Sequence, residues 1–174
     1  FNNLSFDKFI RGRIKQKDLY FYNHPQKKDF KKISSRSIYL GYFSKWDGKK
    51  HFDVASKLGF ISRKKGPLSG NLLAYDNIDE KLCEIHIWFK MLKFGFWRPT
   101  DQCCYQIWNN RMDRAKAVEF VRNNQYKFPH EYLKEFLEFH DLKKGELFDS
   151  MEKWRNKDIW VKRNRKWRLR EEIK

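Results

Sequence analysis

Residues 88–110 read WFKMLKFGFWRPTDQCCYQIWNN, and the rest of the chain is organised around them. Leu82, Ile85, Phe89 and Leu92 recur at helical spacing into this stretch, which predicts a helix with one buried face. Gly95 follows the last apolar turn, where glycine most easily makes a left-handed C-terminal cap. Pro99-Thr100-Asp101 then opens a second helix, with Thr100 the expected N-cap and Asp101 well placed in the first turn. Lys90 and Lys93 fall at the end of the first helix and Arg98 in the joint. Cations beside unpaired helix-start amides suit a phosphate or carboxylate. The plain alternative is a basic corner whose cations sit in solvent.

Towards the N-terminus, Ser5-Phe6-Asp7-Lys8-Phe9-Ile10 predicts a short capped helix ending near Gly12. Lys17 to Lys32 is polar, contains His24-Pro25, and reads as a surface loop. Ile38-Tyr39-Leu40-Gly41-Tyr42-Phe43 is β-branched and aromatic and predicts a short buried strand. After a turn at Asp47-Gly48, His51 to Leu58 predicts a helix with Phe52, Ala55 and Leu58 inward, stopped by Gly59. Phe60 to Asn71 reads as a flexible basic loop, and Asp76 or Asn77 as the cap of the central helix.

Towards the C-terminus, Asp113 caps a predicted helix through Asn123, with Ala117, Phe120 and Val121 as its apolar stripe. Phe128-Pro129 starts another, in which Tyr132, Leu133, Phe136, Leu137 and His140 share a side. Gly145 to Arg155 gives a third, with Leu147, Phe148, Met151 and Trp154 in register. Ile159-Trp160-Val161 and Lys166-Trp167-Arg168-Leu169 predict a two-stranded hairpin over Asn164-Arg165. No internal repeat or domain boundary interrupts residues 1–174, and most of the chain reads as helical.

At 174 residues with 40% hydrophobic content, the chain can build one compact core. Aromatic residues reach 18%, which argues against disorder despite 35% charged residues. No stretch approaches the ~20 apolar residues that span a bilayer, and the first residues carry no signal-peptide core. Three cysteines, Cys83, Cys103 and Cys104, give neither a disulfide framework nor a Cys-x-x-Cys metal spacing, so a reducing, cytoplasmic setting is expected. A start at Phe1 rather than methionine is expected of a fragment, a processed product or part of something longer.

The net charge of +17 raises a nucleic-acid or assembly module lacking catalysis as an alternative function. Cations spread along the whole chain, with lysine ahead of arginine, weigh against nucleic acid as partner. His86 lies one helical turn before Lys90, and Asp79 seven residues before His86, so one polar face can carry all three as a base or sugar contact. His24, His51, His130 and His140 show no metal-ligand spacing, and Cys103-Cys104 reads as packed thiols. The seven tryptophans can stack on a sugar or base, but core packing is the commoner explanation.

Several motifs resemble one family. Tyr39-Leu40-Gly41-Tyr42-Phe43-Ser44-Lys45-Trp46-Asp47 resembles the YLGYFxxWD stretch of the N-acetyl sugar amidotransferases, and Lys93-Phe94-Gly95-Phe96-Trp97-Arg98-Pro99-Thr100-Asp101 their KFGxGRATD segment. Arg111-Met112-Asp113-Arg114 with Ala117-Val118, then Phe128-Pro129, Trp154-Arg155-Asn156 and the Ile159 to Leu169 ending follow in the family's order. The resemblance covers nearly the whole chain.

It implies an α/β enzyme of PP-loop ATP pyrophosphatase type in surface-polysaccharide (lipopolysaccharide O-antigen) biosynthesis. Such an enzyme uses ATP with Mg2+ to turn the acetamido group of an N-acetyl sugar into an acetamidino group, with ammonia from a glutaminase–cyclase pair. The family's Ser-Gly-Gly-Lys-Asp-Ser loop and Cys-x-x-Cys pairs precede the region matched here. Ser69-Gly70-Asn71 does not replace that loop. The resemblance therefore implies that residues 1–174 are the mostly helical C-terminal portion, inactive without the PP-loop half. It also implies that Lys93 and Arg98 neutralise pyrophosphate or sugar-nucleotide phosphates, that Thr100, Asp101 and Lys90 complete that site, and that Asp79 and His86 contact the sugar. Trp97 stands where the family usually has glycine, Pro99 where alanine is usual and Trp108 where arginine is common. If activity has been lost, the chain is an inactive remnant.

Overall fold

The computed structural model describes residues 14–19, 22, 27–31, 33 and 36–174. The helix expected at 5–10 and the His24-Pro25 step lie outside them. The chain divides into two units, 1–46 and 47–174.

In the first unit, the segment expected to be a loop carries a 3-10 turn, Gln16–Leu19, and one α-helical turn, Lys27–Phe30. The buried strand expected at 38–43 does not form. Tyr39 is extended, Leu40–Tyr42 makes a 3-10 turn, and Ile38, Tyr39, Leu40, Tyr42 and Phe43 are all exposed. β-branched and aromatic residues make a strand only where a neighbour completes the hydrogen-bond ladder. Among the described residues the only paired strands are the C-terminal two.

The second unit holds six helices among its residues: α1 (Gly48–Lys57), α2 (Cys83–Phe94), α3 (Arg98–Trp108), α4 (Arg114–Asn124), α5 (Leu133–Phe139) and α6 (Lys144–Trp154). It ends in strands β1 (Trp160–Arg163) and β2 (Lys166–Leu169), antiparallel with Trp160 opposite Leu169. Asn164 and Arg165 both take positive φ, as a tight two-residue hairpin turn requires. None of the described helices is long and apolar enough to cross a membrane.

α2 is the central element. Ile85, Trp88, Met91 and Leu92 pack into the main core with Trp97, Phe136, Leu147, Met151, Trp160 and Leu169. The buried stripe is thus rotated from the expected one: Trp88 and Met91 are inside, while Phe89 packs at the margin. A smaller core joins Cys103 to Ala117 and Val121 between α3 and α4.

The last carbonyls of α2 lack intrahelical donors and must find others. Gly95, at φ +80°, donates its N–H to Met91 O at 2.9 Å. The Trp154-Arg155-Asn156 segment supplies more: Asn156 N–H reaches Leu92 O at 3.1 Å and its side-chain amide Lys93 O at 3.3 Å. Trp160 Nε1–H also donates to Leu92 O, at 2.9 Å. Arg155 stacks between the rings of Trp160 and Trp167, 4.9 Å from each. A Cβ on Gly95 would approach Leu169 Cδ2 to 3.0 Å, so the hairpin also needs glycine there.

Asp47 caps α1 by accepting the N–H of Lys49 and Lys50, and Arg111 pairs with the same carboxylate. Residues from two separate motifs therefore meet. Burial opposes ionisation of Asp47, but Arg111 and the two amides outweigh it and hold the pKa below the usual carboxylate value. A depressed folded-state pKa contributes stability at neutral pH that is lost as pH falls through that value. Asp47→Asn is therefore expected to lower the melting temperature at pH 7, with the gap to wild type closing under acid. Thermal melts across pH check this, and a gap that is constant with pH would remove the charge from the account.

Asp113 caps α4 as expected, accepting Lys116 N–H at 2.8 Å. α1 begins three residues before the expected His51, and Leu58, expected inward, is exposed. α5 begins at Leu133 rather than Phe128, with Pro129 buried ahead of it.

Candidate functional site

The joint between α2 and α3 is built differently from the phosphate cradle that its sequence suggested. Thr100 is not the N-cap. α3 starts two residues earlier, at Arg98, with Trp97 as the capping position. Pro99 brings no N–H, and the amides of Thr100 and Asp101 both turn back to Trp97 O, at 3.0 and 3.1 Å. The helix start is therefore internally satisfied at those positions.

Trp97 sets this geometry. It is fully buried, donates its indole N–H to Gln125 O at 2.9 Å, and meets Trp88 edge to face at 5.0 Å. Its ring lies against Gly70, where a Cβ would come within 2.4 Å of it. The Ser69-Gly70-Asn71 segment thus cradles an indole, not a phosphate.

Arg98 is the first residue of α3, and its side chain is 13% exposed. Nη1 donates to Asp76 Oδ2 at 3.2 Å, Nε forms an ion pair with Glu84 Oε1 at 3.4 Å, and Nη2 reaches Cys83 Sγ at 3.7 Å. Around it the Gln102 amide donates to Asn71 Oδ1 at 3.0 Å and to Asp76 Oδ2 at 2.9 Å, and Asn71 donates to Glu84 Oε2 at 2.9 Å. Gln102 Oε1 accepts the backbone N–H groups of Leu72 and Leu73 at 2.6 and 3.2 Å. One guanidinium thus balances two carboxylates in a connected network that ties the 71–76 loop to both helices.

Asp76 does not cap α2, because its carboxylate is spent on Arg98 and Gln102; Leu82 is the capping position, without a side-chain bond. Burial pushes the Cys83 thiol pKa up, against the opposing hydrogen bond from Asn77 at 2.9 Å and the Arg98 charge. The Cys103 thiol is pushed up to about 11 by burial, which fits a packed thiol rather than a nucleophile.

The other candidates diverge. Lys90 lies between both Asp101 carboxylate oxygens, at 2.9 and 2.7 Å, and over the Phe96 ring at 4.3 Å. Both partners keep a third of their side-chain surface. Lys93 turns the other way, over Trp154 of α6 at 5.3 Å. His86 and Asp79 are exposed, and no hydrogen bond or ion pair among the described residues joins either to Lys90 or Asp101. The structure therefore brings Lys90 and Asp101 together, gives Arg98 to carboxylates, and separates Lys93. Among the described residues no group of three or more His, Cys, Asp or Glu could hold a metal ion.

Asn71, Asp76, Glu84 and Gln102 were not anticipated as a cluster. One signal was present: Glu84 precedes Trp88 and Met91 by four and seven residues, so a carboxylate sits on the buried stripe and requires a cation.

The family described as LPS biosynthesis protein WbpG-like, C-terminal domain, matches residues 40–174. The chain belongs to this WbpG-like family. Its Lys90–Asp101 pair, the Arg98 network and the Asp47–Arg111 pair all fall inside the matched span. A role in lipopolysaccharide biosynthesis follows from that membership. No curated protein matches the chain significantly.

Proposed function

We propose that this WbpG-like chain is the C-terminal part of an ATP-dependent amidotransferase that converts the acetamido group of an N-acetyl sugar into an acetamidino group during surface-glycan assembly. The observation that carries the reading is the order of motifs from Tyr39 to Leu169, supported by membership of a lipopolysaccharide-biosynthesis family. ATP and Mg2+ are held by a PP-loop half outside the residues of this chain, and ammonia comes from a glutaminase–cyclase partner. The cytoplasm, where nucleotide-activated sugars are made, is the setting.

Within this chain the residues divide the work. Lys90 and Asp101 are the exchangeable pair: an incoming anion can take the ammonium, because both groups remain partly in solvent. Thr100 stands beside them in the first turn of α3. Lys93, His86 and Asp79 offer exposed polar contacts to a sugar or phosphate. Arg98 acts as a positioning residue that fixes the first turn of α3 against α2.

With the PP-loop half present, AMP release is expected to require both an N-acetyl sugar nucleotide and ammonium, and Lys90→Ala should lower kcat by at least tenfold. AMP release that ignores the sugar would remove the reading. Full turnover by Lys90→Ala would remove Lys90 from the site.

A further inference from the structure

Lys90 and Arg98 of the α2–α3 joint are paired with carboxylates, but Lys64 and Lys65 of a second site are not. Residues Arg63, Lys64, Lys65 and Leu68 face Glu131 and Tyr132 across a cleft of about 540 Å3. Lys64 and Lys65 are exposed, and no carboxylate pairs with either among the described residues. Ligand clefts commonly hold roughly 300–1,000 Å3, so this one has room for a sugar with its phosphates.

The cleft is a built structure rather than a loose loop. Arg63 donates to the carbonyls of Ala74 at 3.4 Å, Asp76 at 2.6 Å and Asn77, while its own N–H reaches Ala74 O at 3.2 Å. Gly66, at φ +84°, closes a turn by donating its N–H to Arg63 O at 3.2 Å, which leaves Lys64 and Lys65 at the corners. Ser69 N–H donates to Glu131 Oε1 at 2.6 Å and joins the two walls. That bond engages one oxygen of the cleft's one carboxylate. Lys81 lies 5.9 Å from the Tyr132 ring centre but is paired with Glu135 at 3.8 Å, so the unpaired charge of the cleft is that of Lys64 and Lys65.

We propose that this cleft binds the diphosphate of a sugar diphosphate ester. Lys64 and Lys65 take the phosphates, and Tyr132 with Leu68 packs against the sugar or the group beyond it. The sugar rests on the function proposed above; the anion site rests on the cleft alone. Sugar nucleotides and prenyl-linked sugar diphosphates share this chemistry.

Titration calorimetry on the full chain tests it with UDP-N-acetylglucosamine, with undecaprenyl-diphosphate-linked N-acetylglucosamine in detergent, and with phosphate-free N-acetylglucosamine. Binding of either diphosphate, but not of the free sugar, is expected, and the tighter of the two identifies the source. Lys64→Glu/Lys65→Glu should weaken binding at least tenfold, whereas Lys157→Glu/Lys166→Glu, outside the cleft, should change it less than twofold. The four residues are exposed, so both variants should keep the wild-type melting temperature. Equal losses in the two variants, or no diphosphate binding by wild type, would overturn the site. Diphosphate binding lost in Lys64→Glu/Lys65→Glu, without sugar-dependent AMP release, would leave the cleft standing and overturn the amidotransferase. The reverse result would overturn only the cleft.

Discussion

Trp97→Ala should unfold at far lower denaturant than the wild type, with a stability loss of about 3–5 kcal/mol, the usual range for emptying a large aromatic site. Three contacts are lost together: the ring packed in the main core, the edge-to-face contact with Trp88, and the indole hydrogen bond to Gln125 O. The last loss strands a carbonyl beside a buried side chain. Gly70→Ala approaches the same site from the other side. Its Cβ would lie 2.4 Å from the indole, and its backbone has φ +81°, which an L side chain rarely adopts. In a Trp97→Ala background the clash disappears and only left-handed strain of ~1–2 kcal/mol remains. Urea denaturation of the two single variants and the double variant should therefore show strong non-additivity. Simple addition would mean that the glycine is kept for its backbone alone.

Arg98→Ala should be comparably damaging, but through charge. Removing one member of a buried ion pair commonly costs about 3–5 kcal/mol, because the remaining charge has no compensation. Glu84 is 2% exposed and would keep only the Asn71 hydrogen bond, while Asp76 would keep Gln102. Glu84→Gln in the same background should restore part of the loss, since an uncharged amide suits the emptied site better. Because Arg98 faces carboxylates, its removal should leave affinity for a sugar diphosphate near wild type when measured well below the variant's melting temperature. A large drop in affinity together with unchanged stability would instead restore the phosphate role that the sequence suggested.

Features settled by neighbours in the chain were legible in the sequence. Gly95 and Asp113 cap where expected, because a left-handed glycine and an N-cap carboxylate act within one turn. The hairpin was legible for the same reason. Ile38–Phe43 misled because strand-forming side chains say nothing about whether a partner strand exists. Thr100 misled because Trp97, already extended, serves as the capping position once its indole is buried. In the site, the cations were visible but their partners were not: Asp76 lies 22 residues from Arg98 and Gln102 lies 31 from Asn71, distances that only the folded loop bridges. A run of basic residues before a helix looks the same whether carboxylates or a ligand answer it.

The bonds from Asn156 and Trp160 to Leu92 have a further consequence for biogenesis. The central helix is completed by residues made more than sixty positions later. During translation its final turn must wait, with apolar residues uncovered, until residues 156–160 have left the ribosome. A premature stop codon shortly before Asn156 would therefore leave the central helix without its last hydrogen bonds and expose the nascent protein to chaperones and proteases.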